Sequence, residues 1–108
     1  MAHRTQRRCA ALILAGAIGA CGWTASASAG DPAYGQYLSS ECVTCHRSDG
    51  QDKGIPAIVG WPPEQFIAVL QSYKTKDRSN AIMQTITGRL SDDDMAALAA
   101  YYASLKAP

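Results

Sequence analysis

The chain has 108 residues, 47% of them hydrophobic and 18% charged, with a formal net charge of +1. That length admits one domain. Past residue 29, seven Lys and Arg stand against nine Asp and Glu, a net of −2, which excludes the basic footprint of a nucleic-acid-binding protein.

The first stretch is not read as part of the domain. Arg4, Arg7 and Arg8 open it, an apolar run covers residues 9–23, and the small residues Ala25-Ser26-Ala27-Ser28-Ala29 follow. Charged start, short apolar centre and Ala-x-Ala end make a secretory signal peptide, expected to be cleaved. The expected division is residues 1–29 as signal and 30–108 as the mature domain, with cleavage after Ala27-Ser28-Ala29; Ala25-Ser26-Ala27 is the competing site. The run is too short and Gly-rich to span a bilayer, which takes roughly 20 apolar residues, so no transmembrane anchor is expected. Cys9 and Ala10 stand where a twin-arginine signal would continue with apolar residues. Ile18-Gly19-Ala20-Cys21 departs from a lipoprotein box at its first position, so a lipid on Cys21 is not expected either.

The remaining 79 residues can bury only a thin core, and chains of that size usually need a metal, disulfide or cofactor. Of the four cysteines only Cys42 and Cys45 remain. A disulfide over so short a loop would constrain the unfolded chain little. A different staple is implied.

Four helical segments are predicted, and no strand pattern. Asp31-Pro32 starts the first, an N-cap acid followed by Pro at the first helical position. Its expected apolar stripe is Tyr34, Tyr37 and Leu38, ending near Cys42. Residues 47–61 form a loop broken by Gly50, Gly54, Pro56 and Gly60. Pro62-Pro63-Glu64 opens the second helix, with a stripe of Phe66, Ile67, Val69, Leu70 and Tyr73 and with Lys74 and Lys76 at its negative end. A third, of about two turns, runs from Ala81 to Ile86 and is stopped by Gly88. Ser91 caps the last helix, with Asp94 in place of the Glu of a capping box. Its stripe is Met95, Leu98, Ala99, Tyr102 and Leu105. The expected class is all-α.

Chemistry concentrates in Cys42-Val43-Thr44-Cys45-His46. Two thiols at this spacing each add to one vinyl group of a haem, and the adjacent histidine is then forced beneath the iron. A redox dithiol expects a βαβ context, and a zinc site expects a second Cys/His pair. Neither is present in the sequence. One covalently attached haem c is therefore the expected cofactor. His46 is the only histidine past residue 29, which excludes bis-histidine ligation within the chain. The sixth ligand is then sought among methionines. Met95 falls on the stripe of the last helix, as a core residue would. Met83 lies 37 residues beyond His46, on a short segment able to fold over the opposite haem face, and is the expected ligand. Met95 or an open position are the alternatives.

Together, Cys42-x-x-Cys45-His46, Gly54-Ile55-Pro56, Met83 and an Ala-rich capped last helix ending Tyr101-Tyr102 resemble the class I c-type cytochromes, in their short bacterial monohaem form. The resemblance covers nearly all of residues 31–106. Residues 83–102 are similar to the cytochrome subunit of flavocytochrome c sulfide dehydrogenases. It implies the class I cytochrome c fold, helices packed around one haem, and a carbonyl at Pro56 that accepts the second imidazole hydrogen of His46. It also implies close crossing of the first and last helices. There Gly35 or Tyr34, with Leu38, would meet Leu98, Ala99 and Tyr102. Two features depart from the family: the crossing glycine usually lies eight residues before the first haem cysteine, whereas Gly35 lies seven before, and Arg47 stands where small members often have Gly.

The function expected is one-electron transfer in the periplasm by His/Met-ligated iron, without enzymatic chemistry. The haem subunit of a larger oxidoreductase, such as a flavin-dependent sulfide dehydrogenase, is the alternative. Partners would be redox proteins, donor and acceptor, with a flavoprotein subunit among the candidates. Ile55, Ile58, Val59, Phe66, Leu70 and Leu98 are the expected apolar shell. Lys74, Lys76 and Arg78 are candidates to steer an acidic partner, or are ordinary helix-end cations. Trp61 or Tyr73 would bond a haem propionate or simply pack.

Overall fold

The structure, a computed structural model, describes residues 30–106 and the single residue Gly22. The signal segment, its cleavage sites and Cys21 lie outside the described residues. Within them are four helices and no strand: α1 (Pro32–Leu38), α2 (Pro63–Lys74), α3 (Ala81–Gly88) and α4 (Asp92–Ser104). No helix there is long and apolar enough to cross a membrane.

α1 starts as its sequence dictates. Asp31 accepts from the Ala33 N–H at 2.9 Å, and Pro32 occupies the first helical position. It ends earlier than expected, at Leu38. Ser39 is the reason. Its hydroxyl donates to Gln36 O at 2.7 Å and offers the backbone an alternative to the helical ladder. The chain then descends through successive turns to the cysteine motif.

The buried face of α1 also differs from the expected tyrosine stripe. Tyr37 is 76% exposed and Tyr34 43%; the two rings stack outside the core at 6.3 Å. The inward line is Gly35, Leu38, Ser39 and Cys42, a helical i, i+3, i+4, i+7 series that carries only one large hydrocarbon. Gly35 is there because α1 crosses α4 at backbone range. A Cβ on it would lie 2.0 Å from Ala97 O and 2.8 Å from Tyr101 Cβ. The closest approach thus falls at Gly35, despite its displaced spacing, with Ala97 and Tyr101 nearest to it, while Leu38 packs against the cluster that holds Leu98, Ala99 and Tyr102.

α4 is the centre of the core. Met95, Ala97, Leu98, Ala99 and Tyr102 are buried, joined by Phe66 and Leu70 from α2 and Val59 from the preceding loop. α4 packs on α1 and α2, and α3 rests on α2. Its start has the expected capping box: Asp94 N–H donates to Ser91 Oγ at 3.1 Å, and Ser91 N–H donates to Asp94 Oδ2 at 2.9 Å. Asp94 also accepts the Tyr34 hydroxyl at 2.9 Å, tying α1 to α4. The Ser91 amide first, and then the Tyr34 hydroxyl, hold the Asp94 carboxyl below the usual carboxylate range.

That lowering has a pH signature. A group whose folded pKa is depressed contributes stability that is complete above its unfolded pKa, about 3.9 for Asp. The contribution is lost as pH falls through the folded value. Asp94→Asn is therefore expected to be less stable than wild type at neutral pH, with the gap closing below about pH 4. Denaturant midpoints across that range measure it; a gap independent of pH overturns the assignment.

Candidate haem site

The turns after α1 hold the cysteine motif rigidly. Cys42 N–H and Val43 N–H both donate to Ser39 O, at 2.9 and 3.0 Å. Cys45 N–H and His46 N–H both donate to Cys42 O, at 3.1 and 2.8 Å. One tight backbone turn thus sets two thiols and an imidazole side by side. Cys42 is half-buried against the core and Cys45 is exposed; both are free thiols.

His46 Nδ1 lies 2.7 Å from Pro56 O. A carbonyl can only accept, so Nδ1 carries the proton and Nε2 keeps its lone pair for a metal. The carbonyl is delivered by a loop pinned along its length. Gly54, at φ 91°, takes a left-handed conformation closed to most side chains, and its N–H donates to Asp52 Oδ1 at 2.8 Å. At the far end Gly60 N–H donates to Tyr102 O at 2.8 Å, fastening the loop to α4. Arg47, the departure from the family pattern, is turned toward Asp49, its Nε 3.0 and 3.1 Å from the two carboxylate oxygens. The guanidinium first, and the Gln51 N–H next, hold Asp49 down to about 2.

Met83 sits in the first turn of α3, half-buried and packed against the core. Its backbone is held at both ends. Asn80, the N-cap, accepts its N–H at 3.0 Å. The fully buried Thr87 donates to its carbonyl at 2.8 Å. Met95 is 0% exposed in the core, as a packing residue is. Of the expected apolar shell, Val59, Phe66, Leu70 and Leu98 are buried and Ile58 is half-buried, while Ile55 is 40% exposed.

The surface cations are mostly engaged. Lys74 Nζ donates to Leu90 O, and Arg78 lies over the Tyr73 ring, 5.5 Å from its centroid. Trp61 packs edge-on to Phe66, with centroids 6.4 Å apart.

Sequence reasoning missed one polar group. Tyr102 is 0% exposed, yet its hydroxyl meets no hydrogen-bond partner; its polar neighbours are the side chains of Cys42 and Ser39. A buried hydroxyl left unpaired costs about 1–3 kcal/mol. Burial first, and then the Cys42 thiol, push the phenol above its ordinary range. Burial likewise raises the Cys42 thiol. No spacing rule announces such a contact; a Tyr on an otherwise apolar stripe was its only sign.

These features define a small helical protein with an imidazole, a thioether and a thiol pair around an apolar core. The description "Cytochrome c" matches residues 32–106, and the chain belongs to the cytochrome c family. Cytochrome c-554(548) of Halomonas halodenitrificans is 35% identical over 70% of this chain and 98% of its own length. Cytochrome c4 of Pseudomonas aeruginosa is 33% identical over 73% of this chain, which spans 40% of that protein. The cytochrome subunit of sulfide dehydrogenase from Chlorobaculum tepidum is 29% identical over 66% of each chain. The protein is an electron-transfer haem protein with covalently bound haem c, of the all-α class I cytochrome c fold. The donor set suits the group: a thiol pair in one turn, an imidazole with Nε2 free, and a thioether at the edge of the core.

Proposed function

We propose that this chain is a periplasmic one-electron carrier. Its haem would be held by thioether bonds from Cys42 and Cys45, and the iron by His46 Nε2 and the Met83 sulfur. The observation that carries the reading is the 2.7 Å contact from His46 Nδ1 to Pro56 O, beside a turn that presents both thiols. When bound, the haem supplies an iron that cycles between Fe(III) and Fe(II). The chain's residues do the rest. Pro56 fixes the imidazole tautomer and ring direction. The thioether of Met83 favours the reduced metal and raises the potential. Val59, Phe66, Leu70 and Leu98 keep water out and disfavour extra positive charge. With His46 and Met83 both holding the iron, no site would be left for substrate chemistry there, which supports reading the chain as a carrier. The apolar start and Ala-x-Ala end of residues 1–29 support export.

The test is to isolate the protein from a host able to attach haem. Pyridine haemochrome spectra and intact mass should show one haem on a chain shortened by its signal segment. Cys42→Ser with Cys45→Ser should be colourless. A colourless wild-type protein of polypeptide mass alone overturns the proposal. The similarity to a sulfide dehydrogenase cytochrome subunit supports a second reading, that the chain is the haem subunit of a larger oxidoreductase. Size-exclusion of the native protein separates the two: copurification with a flavoprotein favours the subunit, elution as a lone small protein the carrier.

A further inference from the structure

We infer that Tyr102 donates a hydrogen bond to the sulfur of Cys42 in the haem-bearing protein and thereby raises the reduction potential. The inference builds on the proposal that Cys42 carries the haem.

Tyr102 cannot reach water. Its ring is stacked on Phe66, with centroids 5.5 Å apart and planes at 20°, and meets the Tyr101 ring edge-on at 5.1 Å. Its own carbonyl is held by Gly60 N–H at 2.8 Å. A phenol fixed this way and 0% exposed must find its partner inside the protein. Cys42 packs against the cluster that holds Tyr102, and Cys42 and Ser39 are among the polar groups around the hydroxyl. Ser39 already commits its proton to Gln36 O at 2.7 Å, and Cys42 as a free thiol carries a proton of its own. Thioether formation changes that second neighbour: the sulfur loses its hydrogen and becomes an acceptor only. The unpaired phenol is then the one donor among these three groups without a partner.

Donation to this sulfur withdraws electron density from a substituent of the porphyrin, and hydrogen bonds around a redox centre are a recognised lever on its potential. Less density on the macrocycle disfavours Fe(III), so the potential rises. Phenylalanine at position 102 would keep the ring, the stack and the packing and remove the donor alone.

The test uses haem-loaded wild type, Tyr102→Phe and Ser39→Ala. Three quantities are read: reduction potential by spectroelectrochemical titration, the carbon–sulfur Raman band in H2O and D2O, and the unfolding midpoint in denaturant. Expected are a deuterium-sensitive band in wild type, its loss in Tyr102→Phe, a lower potential in that variant and a lower unfolding midpoint. Ser39→Ala should keep the wild-type potential. An unchanged potential in Tyr102→Phe overturns the inference, as does a raised unfolding midpoint, the mark of relieving an unpaired buried hydroxyl. A potential shifted equally by Ser39→Ala also overturns it. The wild-type isotope comparison needs no variant to fold; a band blind to deuterium is a negative result by itself. Peptide mass keeps the two proposals apart. A 42–47 peptide without haem sinks the attachment at Cys42, whereas a haem-bearing peptide with an unmoved potential sinks only the role of Tyr102.

Discussion

Met83→Ala is expected to open the iron of the haem-loaded protein on the side opposite His46. The sulfur-to-iron absorption band should vanish, carbon monoxide should bind readily, and the potential should fall by a sizeable part of the about 0.8 V that axial ligands span. The wild-type position is well prepared for ligation. Asn80 holds the Met83 N–H at 3.0 Å and Thr87 its carbonyl at 2.8 Å, so the first turn of α3 delivers the thioether from a fixed backbone. The fold itself should survive. The side chain is half-buried, and its truncation should cost about 1–2 kcal/mol, less than the 2–5 seen for fully buried methionines. Met95→Leu is the control. Met95 is wholly enclosed, so a similar-volume replacement should cost under about 1.5 kcal/mol and leave the spectrum intact. Loss of the band in Met95→Leu, with Met83→Ala unaltered, would reverse the assignment.

Gly35→Ala is expected to damage the fold severely for a single added methyl group. The new Cβ would stand 2.0 Å from Ala97 O and 2.6 Å from Ala97 C. Those are backbone atoms of α4, and no rotamer change relieves such a clash. Either α1 lifts from α4 or the helix bends. Overpacking typically costs 1–3 kcal/mol; with the clash on backbone, about 3 kcal/mol or more is expected. Against a usual reserve of 5–15 kcal/mol, the denaturation midpoint should fall steeply. The displacement of α1 would also disturb the turn from Ser39 to His46 that continues it. A midpoint within experimental error of wild type would show that the two helices do not cross at this residue in solution.

The two positions differ in how readable they were. The proposal for Met83 came from elimination and distance along the chain, with no histidine left and a methionine on a short segment after a loop. Gly35 was one of two candidates for the crossing, beside Tyr34, and pattern could not choose between them. The family spacing pointed one residue away, and apolar periodicity pointed to Tyr34 and Tyr37, which the structure leaves outside the core. Periodicity counts large apolar residues and is blind to a helix that meets its neighbour through the absence of a side chain. The end of α1 was misplaced for a related reason: Ser39 competes for backbone hydrogen bonds, and its effect depends on whether its hydroxyl turns inward.

The amino-acid order alone determined what is local or covalent here: helices started by Asp31-Pro32, Pro63 and the Ser91/Asp94 box, and the haem-binding pattern of Cys42, Cys45 and His46. These depend on contacts within a turn or two, so adjacency in sequence is adjacency in space. The tertiary structure brings the expected Pro56 O within 2.7 Å of His46, and only it decided that Gly35 touches Ala97 and that the Tyr102 hydroxyl is sealed inside the core. Each joins residues from different elements, and which groups meet there is settled by how closely the helices approach.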